Sequence, residues 1–370
     1  MVPGAAPRWK RHAAYRDALR FPSLDGLRFL SIVPVIWHHA TPGPLPGVLG
    51  KGPVGVDLFF AISGFLITTL MLREQSATGT VSIRRFYARR ALRIFPLYYV
   101  VLALYVARAW LLPAAAPERA HFFRSLPFWA TYTANWFVDF GVPHPILFAF
   151  GWTLATEEQF YLIWPWIVRR ARGWRAPVGA ALFLLAADQS MEHGLFTGAL
   201  PLGSLGRRII ASIASPILLG ALLACALHGP RGFAAAEQVL GHRASAPLLL
   251  LMVVGLLAVD GAPLLAVQLA LALLVGACCV RADHGLRAVT DAAPVRWVGT
   301  VSYGMYLFHV SAITAAKRLL PAAWSATPCV FALAFALTLV AAGASHRWFE
   351  QPFLRLGDRF RRPAPRILLP

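Results

Sequence analysis

The sequence predicts an all-α integral membrane protein with about ten transmembrane helices and both termini in the cytoplasm. The composition is the first indication: of 370 residues, 58% are hydrophobic and 14% are charged, whereas a soluble domain carries about 25% charged residues. The second is the arrangement of these residues in apolar runs of roughly twenty, the length that crosses a bilayer. The third is the placement of Lys and Arg in short clusters between those runs.

Ten apolar segments are the candidate spans. With a cytoplasmic N-terminus they place 27 of the 35 Lys and Arg residues inside and 8 outside, as the positive-inside rule requires. The predicted spans are 26–42, 53–72, 92–113, 150–168, 176–190, 208–227, 244–260, 262–280, 297–316 and 325–347. This distribution explains the net charge of +19 through contact with the lipid bilayer, so nucleic acid is not an expected partner.

The predicted organisation is one membrane domain between two basic tails. Residues 1–22 and 354–370 form the cytoplasmic tails, and 23–353 form the membrane domain. The N-terminal tail lacks the apolar stretch and cleavage site of a signal peptide. No disulfide framework or metal site is expected, because all four cysteines lie in apolar segments without metal-ligand spacing. They are Cys225, Cys278, Cys279 and Cys329.

The first span carries the most informative motif, Leu24–Ala40. It has Asp25 and Arg28 near its start and His38 and His39 near its end. Ionisable groups inside a span are costly and therefore indicate a functional site. Arg28 and His39 are eleven residues apart, about three helical turns, so they share a face and lie about 16 Å apart along the axis.

The third span begins with the arginine-rich segment Arg84–Tyr99, in which Arg90 and Arg93 share one helical face. Arginines at this position can anchor the chain on anionic lipid. They can also bind phosphate groups, because the guanidinium fork matches phosphate geometry better than lysine does.

Two further segments place polar groups inside spans. Glu157 and Glu158 are adjacent, about 100° apart on a helix, so only one faces a given cavity. Glu157 shares its face with Thr153 and Tyr161, which favours it as the interior carboxylate, whereas Glu158 shares its face with leucines. Such a carboxylate can pair with an interior arginine, accept a proton or orient an imidazole.

A second polar stripe lies on the ninth span, where Ser302, Tyr306 and His309 recur at helical spacing. Buried histidines are often structural, and the stripe is the feature that favours an interior site. The segment between the third and fourth spans, 114–149, is rich in aromatic residues. Such a composition is typical of an interfacial belt and also suits the binding of sugar rings.

Together these motifs resemble the membrane-bound acyltransferase-3 family of carbohydrate O-acyltransferases. The resemblance covers about residues 25–353, with the pieces in the family's order. They are LDGLRFLSIVPVIWHHA, GVDLFFAISGFLIT, RRFYARRALRIFPLYY, WTLATEEQFYLIWP, SYGMYLFH and FEQPF. The family's usual SLSVE is TLATE here, which removes the two serines but keeps the hydroxyl groups of Thr153 and Thr156. We see no esterase-like domain of the kind fused to some members, so acceptor placement is expected to rest on the membrane domain.

The resemblance implies a multi-pass enzyme of the bacterial inner membrane that transfers an acyl group, most simply acetyl, from cytoplasmic acyl-CoA to a hydroxyl of a polysaccharide, glycolipid or other glycoside. No bound cofactor is expected. The predicted catalytic residues are His39, as general base or acyl carrier, and Glu157. The predicted substrate-binding residues are Asp25, Arg28, Arg90, Arg93, Tyr306 and His309.

Two alternatives come from other functional classes. A secondary transporter or flippase could use the same His and Glu residues as a proton relay, although its usual paired broken helices are not evident in the two halves of the sequence. A lipid-binding scaffold would not depend on His39 at all.

Overall fold

A computed structural model describes residues 8–18, 20–40, 47–171, 173–194, 204–321, 324 and 328–360. All regular structure in these residues is helical, which confirms the predicted all-α class. The helices are α1 Arg8–Asp17, α2 Pro22–Ala40, α3 Val54–Thr78, α4 Ile83–Trp110, α5 Pro117–Ala130, α6 Ala134–Phe137, α7 Gly151–Arg170, α8 Arg175–Glu192, α9 Ser204–Ala211, α10 Ser215–His228, α11 Pro230–Leu240, α12 Ser245–Ala258, α13 Leu264–Val280, α14 Arg287–Thr290, α15 Ala293–Leu319, α16 Pro328–Ser345 and α17 Gln351–Asp358. A 3₁₀ turn at Gly47–Gly50 and a π turn at His346–Glu350 complete them.

Every predicted span overlaps a helix, but the number of membrane crossings stays a prediction. Three continuous helical stretches in the described chain are long and apolar enough to cross a bilayer, namely α3, α4 and the stretch Pro328–Asp358. The number rises to five if two bent pairs each count as one span. The bends are 48° between α9 and α10 and 70° between α11 and α12. The cytoplasmic location of the termini likewise stays a prediction.

Six helices of the described residues lie outside the predicted spans, namely α1, α5, α6, α11, α14 and α17, and two of them pack together. Helix α1 lies within the predicted N-terminal tail, and α11 lies between the sixth and seventh predicted spans. They pack against each other: Arg11 forms an ion pair with Glu237, and the rings of Tyr15 and Phe233 lie 5.4 Å apart. The remaining tail residues 1–7, 19 and 361–370 lie outside the described residues.

Close helix packing in the bundle depends on glycine. A Cβ on Gly64 of α3 would collide with the carbonyl oxygen of Ile217, and one on Gly220 of α10 with that of Ala61. Gly299 of α15 lies equally close to the backbone of Asp25 in α2. Small residues at such contacts let helix backbones approach closely, as is typical of helices in membranes. The contact at Gly299 fixes α15, which carries Tyr306 and His309, directly against α2.

The outer surface of the bundle is apolar, as expected where a helix contacts lipid. Large hydrophobic side chains with more than half of their surface exposed lie on α7, α8, α12 and α16. They include Leu162, Ile163, Phe183, Leu248, Leu251 and Val340. The helices therefore present apolar groups both to the interior and to the exterior, which fits a membrane protein.

Candidate functional site

Helix α2 carries both members of the first motif. It continues without a break from Pro22 to Ala40, through Pro34. Arg28 and His39 therefore lie on one helix, separated by about 16 Å along its axis. We call the end of the bundle at Arg28 the arginine end and the end at His39 the histidine end.

At the histidine end, the side chain of His39 has a defined tautomer. Its Nδ1 lies 2.9 Å from the carbonyl oxygen of Val35. A carbonyl oxygen only accepts, so Nδ1 carries the hydrogen and the neutral ring presents the lone pair of Nε2. The side chain is exposed, so a hydroxyl can reach that nitrogen. This arrangement suits a general base.

The expectation that a carboxylate such as Glu157 fixes this tautomer is wrong in the described structure. The hydrogen-bonding partner of Nδ1 is the carbonyl of Val35, one turn earlier in the same helix. In an apolar span a local carbonyl serves the purpose without burying a second charge. Glu157 therefore acts on a different part of the site.

Helix α15 brings its polar stripe to the histidine end. His309 is completely buried, and its ring centroid lies 4.9 Å from that of His39, with the two rings nearly perpendicular. The hydroxyl of Tyr306 lies 2.7 Å from Oγ1 of Thr153, which connects α15 to α7. The predicted residues His39, His309 and Tyr306 thus lie together, and the ring of His38 lies 5.3 Å from that of His39 between centroids.

At the arginine end, α2 and α4 bring three guanidinium groups into one region. Arg28 donates to Oδ1 of Asp25 at 2.6 Å, so Asp25 holds the Arg28 side chain in place. Arg93 is exposed and lies close enough to Arg28 and Arg90 for electrostatic repulsion between them. Three positive groups near one paired carboxylate form a site suited to an anion with several charges.

Arg90 connects this end to the carboxylates of α7. Its guanidinium group stacks on the ring of Tyr161, 4.2 Å from the centroid, and the Tyr161 hydroxyl donates to Glu157. Glu157 therefore orients the aromatic surface on which Arg90 rests. Its location on the face of Thr153 and Tyr161 agrees with the stripe predicted from the sequence.

Glu158 lies in a different setting from the leucine face predicted for it. Arg90 lies near enough to stabilise its charge, although the two do not form an ion pair among the described contacts. It also faces a group of tyrosines from three other parts of the chain, namely Tyr98, Tyr99, Tyr132 and Tyr303. These tyrosines lie on α4, just after α5 and on α15, far from Glu158 in the sequence, so the spacing along α7 alone does not reveal them.

The sequence reasoning did not assign a role to Glu350. This residue ends the π turn at His346–Glu350, and such turns are frequent at functional sites. Its Oε1 accepts a hydrogen bond from Ser345 at 2.9 Å, and the carboxylate interacts electrostatically with Arg93. The signal was present in the motif FEQPF, which contains this glutamate.

Two cavities lie away from these residues. One, of about 410 Å³, is lined by residues of α1 and α3 that include Trp9, Arg16 and Arg73. The other, of about 210 Å³, lies in the aromatic segment 114–149 and is lined by His121, Arg124 and Asp139 with two phenylalanines. Burial, together with the nearby His144 and Arg124, lowers the pKa of His121 below its usual value.

Comparison with known proteins identifies the relatives of the chain. It is 27% identical over 379 residues to the peptidoglycan O-acetyltransferase OatA of Listeria monocytogenes, covering 91% of this chain and 56% of that protein. It is 28% identical over 368 residues to the putative peptidoglycan O-acetyltransferase YrhL of Bacillus subtilis, covering 91% of this chain and 55% of the relative. A putative O-acetyltransferase of Staphylococcus aureus is 34% identical over 167 residues, covering 43% of this chain and 26% of that protein.

The chain thus spans about half the length of the first two relatives. No solved structure matches it significantly. The sequence model of the acyltransferase-3 family, described as an acyltransferase domain, matches residues 21–347. This match covers most of the chain and confirms the resemblance drawn from its motifs. The chain belongs to the acyltransferase-3 family.

Proposed function

We propose that the protein is a multi-pass O-acyltransferase of the bacterial cytoplasmic membrane that moves an acetyl group from acetyl-CoA to a hydroxyl of a cell-wall glycan. The observation that carries the proposal is the location of two complementary sites on one helix. A histidine with a free Nε2 lone pair lies at one end of α2, and a cluster of arginines lies at the other. The names of the relatives support O-acetylation of peptidoglycan as the reaction class.

The arginine end is proposed to bind the donor. Coenzyme A carries three phosphate groups, and guanidinium groups bind phosphate through paired hydrogen bonds. Arg28, Arg90 and Arg93 supply three such groups in one region. From there the thioester has to extend about 16 Å along α2 to reach His39, a distance comparable with the extended pantetheine arm of the coenzyme.

The histidine end is proposed to carry the chemistry. Nε2 of His39 removes the proton of the acceptor hydroxyl, the oxygen bonds to the acyl carbon, and the carbon–sulfur bond breaks to release the thiolate, which then takes the proton. Holding the thioester and the hydroxyl together replaces a bimolecular encounter. The same lone pair offers a second route, in which the acyl group passes through an acyl-imidazole on His39.

The acceptor can be identified in cells. We compare cell-wall glycans from cells with and without the protein by NMR, before and after mild alkali, which hydrolyses esters. The proposal predicts alkali-labile acetyl signals on sugar hydroxyls that need both the protein and an intact His39. Identical spectra from the two cell types would contradict the proposed reaction and leave a transporter or flippase as the better account of the polar residues.

A further inference from the structure

His309 has a nitrogen lone pair that the described structure leaves without a partner. Its Nδ1 lies 2.5 Å from the carbonyl oxygen of Tyr306, and because a carbonyl only accepts, Nδ1 carries the ring hydrogen. Nε2 is therefore an acceptor. It is buried and has no hydrogen-bond partner in the described structure. Buried polar atoms almost always have a partner, so this exception calls for an explanation.

Three rings surround His309, and one of them can supply the missing hydrogen. Phe150, with its ring 5.4 Å away, has no polar hydrogen in its side chain. Tyr306, at 5.3 Å, has its hydroxyl engaged with Thr153. His39, at 4.9 Å, gains an N–H donor whenever its Nε2 takes a proton. Besides His309, the other titratable side chain whose ring contacts His39 is that of His38.

We propose that His309 positions His39 during acyl transfer. His39 becomes an imidazolium in this step, and Nε2 of His309 accepts a hydrogen bond from it. This inference rests on the proposed function. The acceptor O–H bond breaks as the N–H bond forms on Nε2 of His39, and that N–H then turns toward Nε2 of His309. The proton stays between the two imidazoles while the oxygen bonds to the acyl carbon and the carbon–sulfur bond breaks. It is then delivered to the thiolate.

This arrangement replaces the carboxylate that usually stabilises a catalytic imidazolium. In both histidines Nδ1 is occupied by a carbonyl of the same helix. The only basic nitrogen atoms left in the pair are therefore the two Nε2 atoms. A neutral acceptor beside His39 favours the protonated state that forms along the reaction, without placing a permanent charge in the apolar bundle.

The test compares two substitutions of His309 in the purified full chain, with acetyl-CoA as donor and peptidoglycan disaccharide fragments as acceptor. His309→Phe keeps a ring but removes the acceptor atom. His309→Gln keeps an acceptor oxygen at similar reach. We expect kcat to fall about 10- to 100-fold in the Phe variant, the loss of one hydrogen bond to a charged group, with KM for acetyl-CoA unchanged. The Gln variant should recover most of this loss.

The pH dependence of kcat/KM supplies the second readout. Without an acceptor beside His39 the imidazolium is less favoured, so the Phe variant should keep its rate to lower pH than the wild type does. The wild type and the Gln variant, which both keep an acceptor, should share one profile. Thr338→Val is the matched control, because Thr338 is also fully buried but donates to the carbonyl of Ala334; its kcat should stay near that of the wild type.

Three results would overturn the inference. The first is a Phe variant with the kcat of the wild type, and the second is an equal loss of kcat in the Phe and Gln variants. The third is a change confined to KM, which would make His309 a substrate-binding residue. If the Phe variant does not accumulate, kcat and the pH profile of the Gln variant against Thr338→Val decide. A wild-type protein that releases no thiol from acetyl-CoA would instead contradict the proposed function, and this inference with it.

Discussion

The chemistry proposed for this protein depends on how single side chains are held in an apolar bundle. His39 and His309 each use a carbonyl of their own helix to fix a tautomer. Arg28 is held by Asp25, and Arg90 by the ring of Tyr161. In each case a local contact limits the motion of a polar group whose remaining atoms are left to bind or react.

Replacing His39 tests the proposed base directly. We expect His39→Ala to lower acyl transfer by about 10²- to 10⁴-fold, the usual contribution of a general base. Insertion should be normal, because removing a polar group from a span carries no penalty. His38→Ala is the matched control and should keep more than a third of the activity. A His39→Ala protein that also keeps a third would move the chemistry to His38 or His309.

The adjacent glutamates are expected to differ in importance. Glu157→Gln removes the charge that holds the Tyr161 hydroxyl, and with it the support of Arg90. We therefore expect the loss of most activity. Glu158→Gln should be mild, because the residue has no ion pair among the described contacts. Turnover of both variants at matched expression checks the ranking, and the reverse order would show that Glu158 is the functional carboxylate.

From the sequence we could predict which of these residues share a helical face, but not which groups their side chains contact. Helical spacing placed Thr153, Glu157 and Tyr161 on one stripe, and the structure connects Thr153 to Tyr306 and Tyr161 to Glu157. Spacing along one helix contains no information on contacts between helices. For that reason the stacking of Arg90 on Tyr161 could not be predicted. The carbonyl of Val35, by contrast, lies one turn before His39 on the same helix, at a spacing that the sequence does contain.

At the scale of secondary structure elements, α2 and α4 present the arginines, while α7 and α15 complete the site. The glycine contact between α2 and α15 places both histidines within ring contact. Donor binding and reaction thus use opposite ends of α2, with α4 completing the arginine end and α15 completing the histidine end. This separation predicts that substitutions at the arginine end change donor affinity more than they change the chemical step.

Replacing arginine by lysine on α4 separates a phosphate site from a membrane anchor. Arg90→Lys and Arg93→Lys keep the positive charge but lose the guanidinium fork. We expect weaker binding of acetyl-CoA, seen as a higher KM, with normal orientation in the membrane. Arg84→Lys, at the exposed start of α4, is the matched control. If both variants bind the donor as tightly as the wild type, these arginines serve only as anchors.

The glycine contact between α3 and α10 can be tested by stability. Gly64→Ala and Gly220→Ala each introduce a Cβ against backbone, and such overpacking destabilises by about 1–3 kcal/mol. Gly255→Ala on α12 is the control, since its Cβ would meet open space and alanine favours helix. Thermal unfolding in detergent should separate the first two from the third. Equal melting temperatures would contradict the close packing of these helices.

The positions of the long helices could be predicted from the apolar runs. The break within one predicted span and the short helices were not predicted. The predicted span 208–227 is divided into α9 and α10, with the break just before Ser215, which precedes Pro216. Proline is favoured in the first turn of a helix, where its missing N–H is not needed, so the start of α10 at Ser215 had a sequence signal. Helices α1 and α11 depend on each other through Arg11, Tyr15, Phe233 and Glu237, which is tertiary information.

At the scale of the whole molecule, the candidate arginines and histidines lie at two ends of one helix, about 16 Å apart along its axis. The basic residues favour the arginine end as the cytoplasmic one, the side on which acetyl-CoA is available. In the proposed orientation His39 lies toward the opposite face, on the side of the proposed glycan acceptor. The proposed reaction therefore requires a defined orientation in the membrane.

Labelling of single cysteines tests that orientation. Lys51→Cys and Arg84→Cys occupy exposed positions that the proposal places on opposite sides of the membrane. In a background lacking the exposed Cys329, a membrane-impermeant maleimide should label position 51 in intact cells. Position 84 should be labelled only after the membrane is opened. Labelling of both positions in intact cells would exclude the proposed topology.

The central claim is that the protein itself transfers an acyl group, and one measurement tests it most directly. Purified protein in detergent is incubated with acetyl-CoA carrying a labelled acetyl group and with peptidoglycan disaccharide fragments. We expect thiol to be released in step with alkali-labile label on the glycan, and His39→Ala to abolish both. A wild-type protein that releases no thiol and labels no glycan would contradict the proposed function.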